Sequence, residues 1–71
     1  MKNIKIKTDT IKLDQFLKWS GITETGGEAK NLIQGGRVKV NDIVRDRRSY
    51  SLKKGDIIKI REINEEYRVD K

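Results

Sequence analysis

Cysteine, histidine and proline are all missing from these 71 residues. Without cysteine there is no disulfide staple and no thiolate metal site. Without histidine the commonest general base and the commonest metal ligand are gone. No proline interrupts the chain. Long apolar runs are missing too: Met1-Lys2-Asn3-Ile4-Lys5-Ile6-Lys7 alternates instead. Neither a signal peptide nor a membrane span is expected there, which favours the cytoplasm. Aromatic residues are few: Phe16, Trp19, Tyr50 and Tyr67. Proteins that hold single strands stack bases on aromatic platforms. With so few rings, stacking is expected to be a minor term.

What the chain has is positive charge. Its net charge is +6, and hydrophobic residues make up 34%. Lys30 to Lys54 holds eight basic residues (Lys30, Arg37, Lys39, Arg45, Arg47, Arg48, Lys53, Lys54) against Asp42 and Asp46. The rest of the chain balances to zero, so the whole excess sits in one segment. A confined excess signals an anionic partner more than a need for solubility. Nucleic acid comes first and anionic lipid second. No stretch combines a lysine-rich helical face with a large apolar one, which argues against a membrane surface.

The apolar residues are patterned, so the chain is expected to fold, and its length allows one domain over residues 1–71. Ile4 and Ile6 alternate with Lys5 and Lys7, predicting a strand over Asn3 to Lys7. Thr8-Asp9-Thr10 ends it and offers helix caps. Leu13, Phe16 and Leu17 make one face of a helix over Lys12 to Ser20. Trp19 falls off that stripe and is expected to be a partly buried rim residue; a contact surface is the alternative. Gly21 suits the helix C-terminus, with Ile22 folding back. Thr25 and Glu28 have capping-box spacing, and Ala29, Leu32 and Ile33 form a second stripe that Gly35-Gly36 stops. Val38 and Val40, Ile43-Val44, Ile57 to Ile60 and Tyr67 to Val69 read as strands. Asn41-Asp42 and Asn64-Glu65 supply hairpin turns, and Lys53 to Asp56 another. The fold class is α+β: a helix–helix hairpin packed on a small, twisted, mostly antiparallel sheet of four to five short strands.

Phosphate binding needs cations at backbone spacing, and arginine can grip two oxygens at once. Arg45, Arg47 and Arg48 in a polar loop, with Lys53 and Lys54 beside it, fit that need. Tyr50, inside the loop, is the best candidate for a single base stack, weighed against ordinary packing. Thr25-Gly26-Gly27 opens a helix whose amides could hold a phosphate. Glu28 would occupy the same donors, so a structural cap is favoured. Asp9, Asp14, Asp56 and Glu62 lack metal-ligand spacing and a histidine partner. Asp14 is expected to serve the first helical turn and Asp56 the Gly55-Asp56 turn. No catalytic residue, metal site or cofactor is expected.

The ordered set Lys12-Leu13-Asp14, Leu17, Gly21, Glu28-Ala29, Leu32-Ile33, Gly36-Arg37-Val38-x-Val40-Asn41 and Gly55-Asp56-x-Ile58 resembles a known family. It is the RNA-binding domain first described in ribosomal small-subunit protein four, also called the alpha-L motif. The added N-terminal strand resembles the small stand-alone YaaA-like proteins of bacteria. The resemblance implies binding to structured RNA, ribosomal RNA above all, in ribosome assembly or translation. It implies contacts at Lys12, Lys30, Arg37, Lys39 and Asn41. Where the family commonly has Ser-Arg at the start of the second helix, this chain has Thr25-Gly26, so one basic contact is missing. The family's Asn-Gly turn is Asn41-Asp42 here, which sets a negative charge beside the basic strand. The expectation is a monomeric, non-enzymatic RNA-binding protein with no membrane or small-molecule partner. The alternatives are an adaptor for an acidic protein and a DNA-binding accessory factor.

Overall fold

The N-terminal strand forms as the alternation requires. In the computed structural model, which describes all 71 residues, β1 spans Lys2–Lys5 and Ile6 extends it by donating its amide to the Asp70 carbonyl at 2.9 Å. The chain then makes β2 (Thr10–Lys12), α1 (Leu13–Trp19), α2 (Gly26–Gln34), β3 (Val38–Val40), β4 (Ile43–Val44), β5 (Ser51–Lys53), β6 (Ile57–Ile60) and β7 (Glu66–Asp70). Five strands make one sheet in the order β1-β7-β6-β3-β4. Only β1 and β7 run parallel. No helix is long and apolar enough to cross a membrane.

One face of the sheet carries the core. Val38 and Val40 of β3, Ile58 and Ile60 of β6 and Tyr67 and Val69 of β7 alternate inward and meet Leu13, Phe16, Leu17, Ala29 and Ile33 from the helices. Leu13, Phe16 and Leu17 have no exposed surface at all. Each such side chain contributes about 1.5–3 kcal/mol by leaving water. Strand alternation therefore sends Lys39, Lys59 and Arg68 to the other face, away from the helices.

The turns carry the expected chemistry. Asn41 and Asp42 both have positive φ (52° and 69°), the conformation of a two-residue hairpin whose twist matches its strands. Gly21 lies just past α1 with φ 82°, and its amide bonds the Lys18 carbonyl at 3.1 Å. Thr25 caps α2 by accepting the Glu28 amide at 3.1 Å, and its hydroxyl donates to Glu28 Oε1 at 3.4 Å.

The main sheet has the five short strands expected, and two features depart from the sequence reading. β2 and β5 pair as a separate, additional ladder, with Ile11 opposite Leu52. Each holds a single apolar residue, Ile11 or Leu52, so neither shows an alternation to read. Thr8-Asp9-Thr10 does not cap α1. Lys12 holds the cap position without a side-chain bond. The first free amides of the helix go instead to the far loop: Leu13 N–H to the Tyr50 carbonyl at 2.8 Å and Asp14 N–H to the Arg48 carbonyl at 3.1 Å. Trp19 lies at the rim, partly buried, with 52% of its surface exposed.

Candidate nucleic-acid interface

The basic loop after β4 is held by backbone bonds. The carbonyls of Arg48 and Tyr50 accept the first amides of α1, and the Tyr50 amide bonds the Arg47 carbonyl at 3.2 Å. A helix N-terminus leaves orphan donors, and this loop fills two of them. The segment is therefore fixed although its side chains are polar. Arg47 and Arg48 project from it, exposed, beside Lys12 at the start of α1. Arg48 Nε lies 3.8 Å from Asp14 Oδ2, a long contact. Arg47 and Lys12 have no carboxylate partner. In the β2–β5 ladder Lys12 lies opposite Ser51, and Thr10 opposite Lys53. Lys53 Nζ reaches only to 3.9 Å from Asp56, and Lys54 is free.

Arg37 and Lys39 belong to the outer face of the sheet. Strand register places Lys39 between Val44 and Lys59, with Glu66 next in the row. Arg37 is tied to Arg61 by the backbone, Arg61 N–H to the Arg37 carbonyl at 2.9 Å. Arg37, Lys39, Lys59 and Arg61 line a concavity of about 760 Å³ together with Glu65 and Glu66. Two of these cations are neutralised from within. Arg37 Nε sits 3.3 Å from Glu62. Lys59 Nζ sits between Asp42 at 3.1 Å and Glu66 at 3.0 Å. The Glu66 bond first, then the Asp42 bond, raises the Lys59 pKa above its ordinary value. The negative charge that Asp42 brings to the hairpin is thus absorbed by Lys59. The sequence reading did not single out Lys59 and Arg61, although Lys59 alternates with Ile58 and Ile60 and so had to face outward.

The remaining positions behave differently. Asn41 spends its amide inside the protein. Its Nδ2 donates to Asp56 Oδ1 at 3.0 Å, and its Oδ1 accepts the Ile57 amide at 3.0 Å. Asp56, only 5% exposed, also accepts the Lys53 amide at 2.9 Å. Asn41 therefore joins the β3–β4 turn to the turn before β6, with one amide N–H still free on an exposed residue. Arg45 lays its guanidinium 4.5 Å from the centre of the Tyr50 ring. Tyr50 packs partly buried against the core with Arg45 over its ring. Lys30 stands exposed on α2 without an ion pair.

The carboxylates are dispersed. Asp9 pairs with Lys71, and that hydrogen bond lowers the Asp9 pKa. Asp14 accepts the Gln15 amide at 2.8 Å, Asp56 serves its turn, and Glu62 holds Arg37. Glu65 is paired with the N-terminal ammonium, whose hydrogen bond lowers its pKa. The start of α2 is taken by the Thr25–Glu28 cap. Seven of the ten expected contacts fall into two groups. Lys12, Arg47, Arg48, Lys53 and Lys54 gather around the β2–β5 ladder and the start of α1, while Arg37 and Lys39 lie on the outer sheet face.

The model of the S4 domain matches residues 4–70. The chain is 40% identical over 57 residues to a Bacillus subtilis protein named probable ribosome maturation protein RlbA, covering 80% of each. It is 49% identical over 51 residues to small ribosomal subunit protein uS4 of Wolbachia strain wRi. That match covers 72% of this chain but spans only 25% of uS4. Among solved structures, trimeric heat shock protein 15 of Vibrio cholerae superposes with a TM-score of 0.69 at 28% identity, over 80% of this chain and 57% of that one. Protein S4e of the 30S ribosome of Thermoplasma acidophilum superposes at 0.64 and 24% identity, over 87% and 32%, a likeness of fold alone.

Proposed function

Because the chain belongs to the S4 domain family, we propose that it is a non-enzymatic RNA-binding protein that docks a basic face on structured RNA. Its residues 1–71 form one RNA-binding domain. The relatives' names, a ribosome maturation protein and a ribosomal protein, favour ribosomal RNA and a cytoplasmic role in assembly or translation.

The observation that carries this reading is unneutralised charge. Lys12, Lys30, Lys39, Arg47 and Lys54 are exposed, and none has a carboxylate oxygen within 4.0 Å. Unpaired surface cations raise the potential that steers a polyanion in. A phosphate that meets one releases counterions at no cost in broken ion pairs. Arg48 and Lys53, held only by long contacts, add to the group formed by Lys12, Arg47 and Lys54. The backbone bonds from the loop to α1 matter here, since a fixed loop loses less conformational entropy on binding. Readout by shape and phosphate suits a folded or duplex RNA, whose A-form geometry and 2′-hydroxyls distinguish it from DNA.

The test is the affinity of a folded ribosomal RNA fragment measured from 50 to 200 mM salt. The expected result is a linear fall of log K with log salt, and weaker binding of a DNA duplex of the same length. Affinity that hardly responds to salt would sink the phosphate mechanism. Protein partners that stay bound in a pull-down after ribonuclease digestion would favour an adaptor instead.

A further inference from the structure

Trp19 ends α1 with 52% of its surface exposed. Tryptophan is highly buried on average, so an exposed one needs a reason. The ring is not loose. Its Nε1–H donates to the Lys5 carbonyl at 2.7 Å, which fixes the indole against the end of β1. Lys7 Nζ lies 5.7 Å from the ring centre. Beside the ring runs a groove of about 160 Å³, lined by Ile6, Lys7, Thr8, Ile11, Gln15 and Trp19. Ile6 and Ile11 make its apolar floor, and Thr8 and Gln15 give it polar edges. Gln15 and Trp19 are four apart, so they stand one above the other on one side of α1. The space suits a single flat ring system and is well below the roughly 300 Å³ at which small-molecule sites begin.

The surroundings are cationic. Lys7 lies over the ring, Lys5 supplies the carbonyl that the indole N–H meets, and Lys18 precedes Trp19 in α1; none of the three has an ion pair. The nearby carboxylates are engaged elsewhere: Asp9 with Lys71, and Asp70, opposite Lys5 in the β1–β7 register, with the Lys71 amide at 2.8 Å. The groove and the basic group share strand β2. Ile11 adjoins Lys12, and Thr10 faces Lys53 across the ladder. Along α1, seven residues at about 1.5 Å each separate Trp19 from the basic group by roughly 10 Å.

We propose that this groove takes one unpaired nucleobase of the bound RNA, stacked on Trp19, with the adjoining phosphate on Lys7 and Lys5. The inference rests on the RNA-docking reading above and adds a single-stranded contact to it. Stacking on tryptophan is tolerant of sequence because every base has a π face. The Lys7 ammonium makes only a surface cation–π contact, weaker than a base stack, and shifts from ring to phosphate as the base arrives. Unpaired lysines beside an apolar slot of one-ring size select a base with its phosphate over an apolar peptide segment.

Trp19 is the only tryptophan, so intrinsic emission reports this site alone. The probes are an RNA hairpin with an unpaired six-nucleotide tail and the same hairpin with blunt ends. The tailed hairpin should quench Trp19 and bind roughly tenfold tighter than the blunt one. The blunt hairpin should bind and leave the emission unchanged. Trp19→Ala should erase the tail's advantage, while Trp19→Phe, which keeps a ring and loses the N–H, should retain most of it. Circular dichroism of both variants checks that the fold survives. Equal affinity for the two hairpins with unchanged emission overturns the stacking site and leaves the docking reading standing. Failure of both hairpins to bind overturns both. Loss of the tail's advantage in Trp19→Phe, with the fold intact, shows that the ring is not what holds the tail and also overturns the proposal.

Discussion

Two cationic regions of this small protein make a useful contrast. On the outer sheet face, Lys59 is held by Asp42 and Glu66, and Arg37 by Glu62. Around the start of α1, Lys12, Arg47 and Lys54 have no carboxylate partner, and Arg48 and Lys53 have distant ones. Strand register accounts for the Lys59–Glu66 pair, while Asp42 and Glu62 reach their cations from turns beside the sheet. Neighbouring strands place Lys59 and Glu66 directly opposite, about 4.5–5.5 Å apart at Cβ, so charges of opposite sign on adjacent strands meet. A loop has no such register, and its charges neutralise only where the chain happens to bring an acid near. Positive charge in a sheet row is therefore partly spent on the fold, while charge on the pinned loop stays available to an external anion.

The strongest way to break this comparison is to remove the free cations together. Lys12→Ala, Arg47→Ala and Lys54→Ala combined should make the plot of log K against log salt shallower by about two to three units, with affinity for structured RNA down tens of fold. An unchanged slope, measured by fluorescence anisotropy, would mean that these cations do not meet phosphates. Next comes Asn41→Ala, which strips Asp56 and the Ile57 amide of their partner. It should cost about 1–3 kcal/mol in a urea melt while leaving the charge map intact. Stability close to wild type, with RNA affinity lost, would instead place Asn41 at the interface.

Smaller effects sharpen the contrast on the sheet side. Glu62→Gln releases Arg37 and should tighten RNA binding by about twofold, the scale of an exposed pair. No change would show that the outer sheet face lies away from the RNA. The least effect concerns alkaline pH. The Glu66 and Asp42 bonds raise the Lys59 pKa in the folded state. Their contribution is complete below the ordinary lysine value of 10.5 and disappears as the pH rises through the higher folded value. Melting temperature followed from pH 8 to 12 should show a small alkaline loss that Lys59→Gln lacks. Asp9 and Glu65, with lowered values, act on the opposite side: their contribution is present above the ordinary carboxylate range and is lost as the pH falls through the folded values.

The legible parts of the fold were those with a period or a special dihedral. Leu13, Phe16 and Leu17 on one helical face, Val38 and Val40 on one strand face, the Asn41-Asp42 hairpin and the Gly21 helix end all follow from local rules. The two-strand ladder did not, because Thr10–Lys12 and Ser51–Lys53 each hold a single apolar residue, which shows no alternation, and each depends on the other. Of the site, the identity of the cations was legible, and their freedom was not. Nothing local to Arg45 says that it lies over Tyr50, nothing in Asn41 announces Asp56, and Trp19 could be placed off the apolar stripe without revealing how much of it stays in water.

By itself, then, the order of residues determined two helices, the strands of the main sheet, a core facing one side and a surplus of positive charge in the middle of the chain. Tertiary structure alone decided which cations are answered by carboxylates, that the basic loop caps α1 through the carbonyls of Arg48 and Tyr50, and that the indole of Trp19 stands beside a groove. The reason is range. Periodicity and turn dihedrals act over a few bonds, whereas ion pairing and exposure depend on residues tens of positions apart that only folding brings within a few ångström.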